Sequence, residues 1–179
     1  MNSLNANLKT NTLKRNPGLP LDLDWVMSSQ ANTSAIERRA NSLAARRSVK
    51  KDHQTGWLLR AISCIDLTTL SGDDTASRVK RLCEKAKQPV SRNLLLALDA
   101  PQISTAAVCV YHDMVKTAAQ ALAGSGIPVA AVSTGFPAGL TPFNLRIAEI
   151  EASVTAGANE IDIVISSRHV LTQDWKALY

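Results

Sequence analysis

Residues 160–165 read Glu160-Ile161-Asp162-Ile163-Val164-Ile165, and strict alternation sets the three isoleucines on one face and Asp162 with Val164 on the other. In a barrel the isoleucines would meet the helix layer and Asp162 would face the interior. An ionised carboxylate among aliphatic walls costs several kcal/mol unless a cation or several donors meet it. Asp162 therefore calls for a partner, most economically a lysine. The competing reading, an aspartate capping a turn at a strand end, is weakened because Ile163 to Ile165 continue the apolar pattern beyond it.

Three similar segments precede this one: Ala61 to Asp66, Thr105 to Tyr111 and Val129 to Ser133, with Ile161 to Ser166 as the fourth. All are rich in Ala or β-branched residues, nearly free of charge, and separated by helical patterns. The order β, α, β, α, β, α, β, with connections of this length, is what right-handed crossovers between parallel strands require. Punctuation agrees. Asp73 and Asp74 open one helix, Gly124 and Gly126 close the next, Thr141-Pro142 opens a third and Gly157 ends it. Thr172 to Tyr179 reads as the opening of another helix.

The expected fold class is therefore α/β: the first half, about four βα units, of a (β/α)8 TIM barrel with an N-terminal helical extension. A complete barrel takes about 250 residues, and the chain has 179. The expected organisation is a mobile tail over 1–20, a helical extension over 21–60 and a partial barrel over 61–179 that stops after strand four. A small open-sheet domain complete in itself satisfies the same pattern.

Composition narrows the class. Hydrophobic residues make up 45% of the chain and aromatic ones only 4%, so the core must come from Ala, Val, Ile and Leu, as in parallel sheets under helices. The net charge of +5 is concentrated in Arg38, Arg39, Arg46, Arg47, Lys50 and Lys51. Ile36, Ala40, Leu43 and Ala44 recur there at helical spacing, giving an amphipathic helix with a solvated basic face rather than a nucleic-acid site. Cys64, Cys83 and Cys109 are separated by 18 and 25 residues with no CxxC pair, so neither a disulfide framework nor a metal centre is indicated. No apolar run suits a signal peptide or a membrane span, and the Asn-rich start with its single Arg is a poor transit peptide; a cytoplasmic location is expected.

Strand one ends Asp66-Leu67-Thr68-Thr69-Leu70, placing Asp66 and Thr68 on one side at the end where α/β sites are built. Both are also ordinary turn residues. On strand two, Cys109 shares a face with Thr105 and Ala107 and points inward, and with no readable His-Asp pairing it is not nominated as a nucleophile. The loop Ser133-Thr134-Gly135-Phe136-Pro137-Ala138-Gly139 carries two glycines ahead of a helix, a weak signal for cradling phosphate or a carbonyl oxygen.

Taken together, these segments closely resemble the deoxyribose-phosphate aldolase family in its longer, eukaryotic-like form. The resemblance runs through Ile65 to Leu70 with Ser71-Gly72-Asp73-Asp74-Thr75, through Ala106 to Tyr111, through Thr134 to Gly139 and through Glu160 to Ile165, and covers about residues 21 to 179. It implies a class I aldolase acting on a phosphosugar and aldehyde substrate. In that mechanism a lysine forms a Schiff base and an aspartate and a second lysine relay protons, without a cofactor. By resemblance Asp162 is the catalytic aspartate, and Asp66, Thr68 and Cys109 line the substrate pocket.

The departure lies in the lysines. Family segments resembling Lys-Thr-Ser-Thr-Gly and Lys-Pro-Ala-Gly-Gly are not in this sequence, and all nine lysines fall in the tail or in helical patterns. The expectation is a half-barrel that belongs to the aldolase family but is inactive alone. The alternatives are a non-catalytic binding module acting through its basic helix, and a homo-oligomer in which two copies pair their open edges. Neither nucleic acid nor membrane is an expected partner.

Overall fold

The computed structural model of the chain describes residues 18–46 and 48–179. Most of the expected tail, with Lys9 and Lys14, and Arg47 of the basic stretch lie outside the described residues.

Three helices come first: α1 (Leu23–Ser28), α2 (Thr33–Arg46) and α3 (Lys51–Ile62). Asp22 caps α1, accepting the Trp25 N–H at 2.9 Å. The basic helix forms where the spacing places it, but its apolar face is not covered: Ile36 and Leu43 remain exposed along with the charges.

The remaining chain alternates strands and helices. β1 (Asp66–Thr68), β2 (Ala107–Tyr111), β3 (Val129–Ser133) and β4 (Glu160–Ile163) form one parallel sheet in sequence order. The registers pair Thr68 with Cys109, Cys109 with Ala130, and Val132 with Asp162. Between and after the strands run α4 (Ala76–Lys87), α5 (Arg92–Ala97), α6 (Val115–Ala121), α7 (Phe143–Thr155), α8 (Ser167–Leu171) and α9 (Trp175–Leu178).

One face of the sheet is covered. Val79, Cys83 and Ala86, spaced to share one stripe of α4, join Val115, Ala118 and Leu122 in one buried cluster with Val108, Val110, Val129 and Ala131 of the strands. Ile161 packs at its margin, as alternation requires. On the opposite face Cys109, Ala130 and Val132 form a smaller buried cluster, with Leu70, Tyr111 and Phe136 partly buried against it. Among the described residues the sheet is thus open on its concave side and closed on its helix side.

Four expectations need correction. Ala61 and Ile62 belong to α3 rather than to strand one, because Ser63 and Cys64 N–H groups close the helix onto Leu59 and Ala61 carbonyls, and the strand begins only at Asp66. Strand two begins at Ala107, since Thr105 N–H is turned to the Ala86 carbonyl of α4 instead of a strand partner. Strand four ends at Ile163, and Ile163 and Ile165 are exposed rather than packed under helices. They line a cleft of about 700 Å³ together with Phe143, Ile147 and Ile150 of α7. The C-terminal helical stretch also begins earlier than expected, with α8 ahead of Thr172.

Candidate active site

Asp66, Thr68, Cys109 and Asp162 come from three strands and meet on the concave face. Alternation puts Asp66 and Thr68 on that side of β1, and the register sets Thr68 beside Cys109. The Cys109 Sγ donates to Asp162 Oδ2 across 3.6 Å, bridging β2 and β4 over the small Ala130. Thr68 donates its hydroxyl to the Asp66 carbonyl at 2.7 Å.

Cys109 is only 3% exposed. Burial first, and then the Asp162 carboxylate, push its thiol up to about 11. At neutral pH it is a donor and not a thiolate, which agrees with its not being nominated as a nucleophile.

Asp162 points to the interior face but is exposed there, because no described element covers that side. The desolvation that would demand a cation is relieved by water, and among the described residues no ion pair involves this carboxylate. The described lysines lie elsewhere: Lys50 caps α3, Lys51 opens it, Lys80, Lys85 and Lys87 are on α4, Lys116 on α6 and Lys176 on α9. None stands at the C-terminal end of a strand.

The exit of β1 is fixed by a polar knot. Thr69 Oγ1 donates to both Asp74 carboxylate oxygens at 2.9 Å, Ser71 N–H donates to Oδ2 at 3.1 Å, and Arg78 reaches Asp74 at 3.2 Å and Asp73 at 2.9 Å. Burial works against the charge of Asp74, but Thr69, Ser71 and Arg78 outweigh it and hold its pKa below the ordinary carboxylate value. The Ser71 hydroxyl, with Arg78, does the same for Asp73. These acids therefore shape the loop beside Asp66 and Thr68 rather than opening the helix themselves; Thr75 is the N-cap of α4.

The two-glycine loop is not a ready anion cradle. Gly135 N–H donates to Glu149 Oε2 at 2.9 Å, and Gly139 N–H to the Gly135 carbonyl at 2.9 Å. A carboxylate thus already occupies one donor. Glu149 also approaches His112 Nδ1 at 3.5 Å, and Arg146, one helical turn earlier, donates to the Thr141 and Gly139 carbonyls and to Ser166 Oγ at 3.2 Å. Sequence reasoning did not single out Arg146, Glu149 or Thr134. The available signal was the i, i+3 pair of charges on α7, on the side that faces the loop.

No family model matches the chain. It is 55% identical over 166 residues to the deoxyribose-phosphate aldolase of Bos taurus, covering 90% of this chain and 52% of that protein. The Homo sapiens deoxyribose-phosphate aldolase is 53% identical over 168 residues, covering 92% and 53%. The chain thus spans about half the length of the curated relatives it matches. Among solved structures, a putative deoxyribose-phosphate aldolase from Coccidioides immitis superposes with a TM-score of 0.56 at 23% identity, covering 85% of this chain and 55% of that one. Another from Toxoplasma gondii gives 0.55 at 20% identity, covering 72% and 45%. The fold is that of half a TIM barrel.

Proposed function

With the chain homologous over 166 residues to the deoxyribose-phosphate aldolases, we propose that it supplies one half of such an aldolase site and cannot form the covalent intermediate alone. The proposed reaction cleaves 2-deoxy-D-ribose 5-phosphate to acetaldehyde and D-glyceraldehyde 3-phosphate. An amine condenses with the substrate carbonyl and releases water; the carbon–carbon bond then breaks, its electron pair passing into the iminium, and protonation and hydrolysis release acetaldehyde. Asp162 relays protons to and from that centre, while Asp66, Thr68 and the Cys109 thiol line the pocket as polar contacts. Residues 21–60, continued by Ala61 and Ile62 at the end of α3, serve as the helical extension and the rest, to 179, as the partial barrel.

The observation that carries this reading is the convergence of Asp66, Thr68, Cys109 and Asp162 on one open face, with Asp162 3.6 Å from Cys109. The amine comes from outside the described residues, since every described lysine is helical or at a helix start. A phosphosugar substrate, a cytoplasmic location and no cofactor belong to the same reading; self-association through the open edges is a separate alternative. Among the described residues no helix is long and apolar enough to cross a membrane.

Borohydride trapping with acetaldehyde tests it. The purified 179-residue chain is expected to gain no stable adduct by mass spectrometry, whereas a lysine adduct would show that the amine is already present. The lack of a strand-end lysine among the described residues favours one second reading, a non-catalytic binding module working through the basic α2. Partner binding by the isolated chain that weakens steeply with salt, and that persists in Asp162→Asn, would support it.

A further inference from the structure

β4 pairs with β3 only as far as Ile163, one residue beyond Asp162. At the next residue the ladder is replaced by a side chain. Thr134 Oγ1 accepts the Val164 N–H at 2.6 Å and donates to the Val164 carbonyl at 3.1 Å, so one hydroxyl satisfies both backbone groups of the residue that follows the strand. Thr134 is 7% exposed and has φ of +61°. A β-branched residue in the left-handed region is a genuine outlier, and it persists only where the surroundings hold it. Glycine or asparagine would take that backbone conformation with less strain, but glycine has no hydroxyl.

The neighbouring loop reinforces the grip. A Cβ on Gly139 would come within 2.9 Å of Val164 Cγ1, and Arg146 ties the Gly139 carbonyl to Ser166 Oγ on the far side of the same stretch. We propose that Thr134 is a positioning residue: by holding the Val164 peptide it fixes the exit of β4 and keeps the Asp162 carboxylate over Cys109. The strained backbone is what the chain tolerates to put a hydroxyl at that point. The inference rests on Asp162 being the acid of the site, as proposed above.

The test reads Cys109 as a reporter of where Asp162 stands. Iodoacetamide alkylation of Cys109 is followed against pH by peptide mass spectrometry, which separates it from exposed Cys64 and buried Cys83. In Asp162→Asn the Cys109 rate at pH 8 is expected to rise by up to about tenfold as thiolate becomes easier to form. Thr134→Gly, which relaxes the backbone while deleting the hydroxyl, is expected to move most of the way to that profile, and Thr134→Ser to stay with the parent. A folded Thr134→Gly with the parent profile overturns the proposal. Hydrogen exchange on the parent chain gives an arm that needs no variant: the Val164 amide is expected to be protected like those of β4, and exchange as fast as in an open loop also overturns it. If Asp162→Asn leaves the profile unchanged, the Asp162–Cys109 contact itself fails, and with it the site.

Discussion

Replacing one valine on each face of the sheet measures how differently the two faces are covered. Val110 is fully buried in the cluster shared with α4 and α6. Val110→Ala removes two carbons there, about 1.6 kcal/mol at ~0.8 kcal/mol per buried methylene. The surrounding layer is fixed on both sides, so a cavity of about 50 Å³ adds ~1.2 kcal/mol. The total is about 3 kcal/mol, a large share of the ~5–15 kcal/mol typical of a domain. Val132 is nearly as buried, at 3% exposure, but its neighbours Leu70, Tyr111 and Phe136 belong to a cluster that no described helix covers. Those side chains and water can settle into the gap, so Val132→Ala loses the transfer term alone, about 1.5 kcal/mol. Urea unfolding at fixed protein concentration gives both values, provided the denaturant slopes stay equal. Equal costs, or a larger one for Val132→Ala, would refute the open concave face, and a concentration-dependent midpoint would identify a second copy as its cover.

Three further outcomes follow from the local chemistry. The Cys109 thiol, ordinarily titrating near 9.0, is pushed up to about 11, so the folded chain holds this proton more tightly than the unfolded one. Its contribution is full below about pH 9 and lost as pH rises to about 11; the urea midpoint should fall across that window, less so in Cys109→Ser, and Cys83 shifts in the same direction. Asp73 and Asp74 are held below the ordinary carboxylate value of 3.8, so their contribution is present above it and lost as pH falls further. Arg78→Ala should move the acid-unfolding midpoint upward, and an unchanged midpoint would show that the knot around Asp74 does not hold the loop. Gly135 has φ of +77°, and a Cβ there would collide with the Thr141 side chain. Gly135→Ala should destabilise by about 2 kcal/mol on left-handed strain and crowding together, measurable by thermal unfolding.

The strands were legible where composition was uniform. Val129–Ser133 has the bounds its apolar run indicates, because Pro128 and the following Thr134-Gly135 delimit it on both sides. Ala61 to Asp66 misled because one apolar run serves both the end of α3 and the approach to β1, and periodicity alone cannot divide it. The placement of Asp162 on the concave face followed from alternation, and that of Cys109 likewise. The need for a cation beside Asp162 did not carry over, since the acid lies in water on an uncovered face. The holding contact of Thr134 was not legible, because it joins residues far apart in sequence: the Thr134–Val164 pair spans thirty residues and exists only once β3 and β4 are in register.

We propose that this chain contributes the acid of an aldolase site whose amine comes from outside its described residues. The most direct measurement combines it with the part of the Bos taurus deoxyribose-phosphate aldolase that lies beyond the matched half. Cleavage of 2-deoxy-D-ribose 5-phosphate by the assembled pair is then followed as acetaldehyde release. Cleavage is expected from the pair and from neither part alone, with most of the activity lost when Asp162 is changed to Asn. An assembled pair that cleaves equally well with Asn at that position would contradict it.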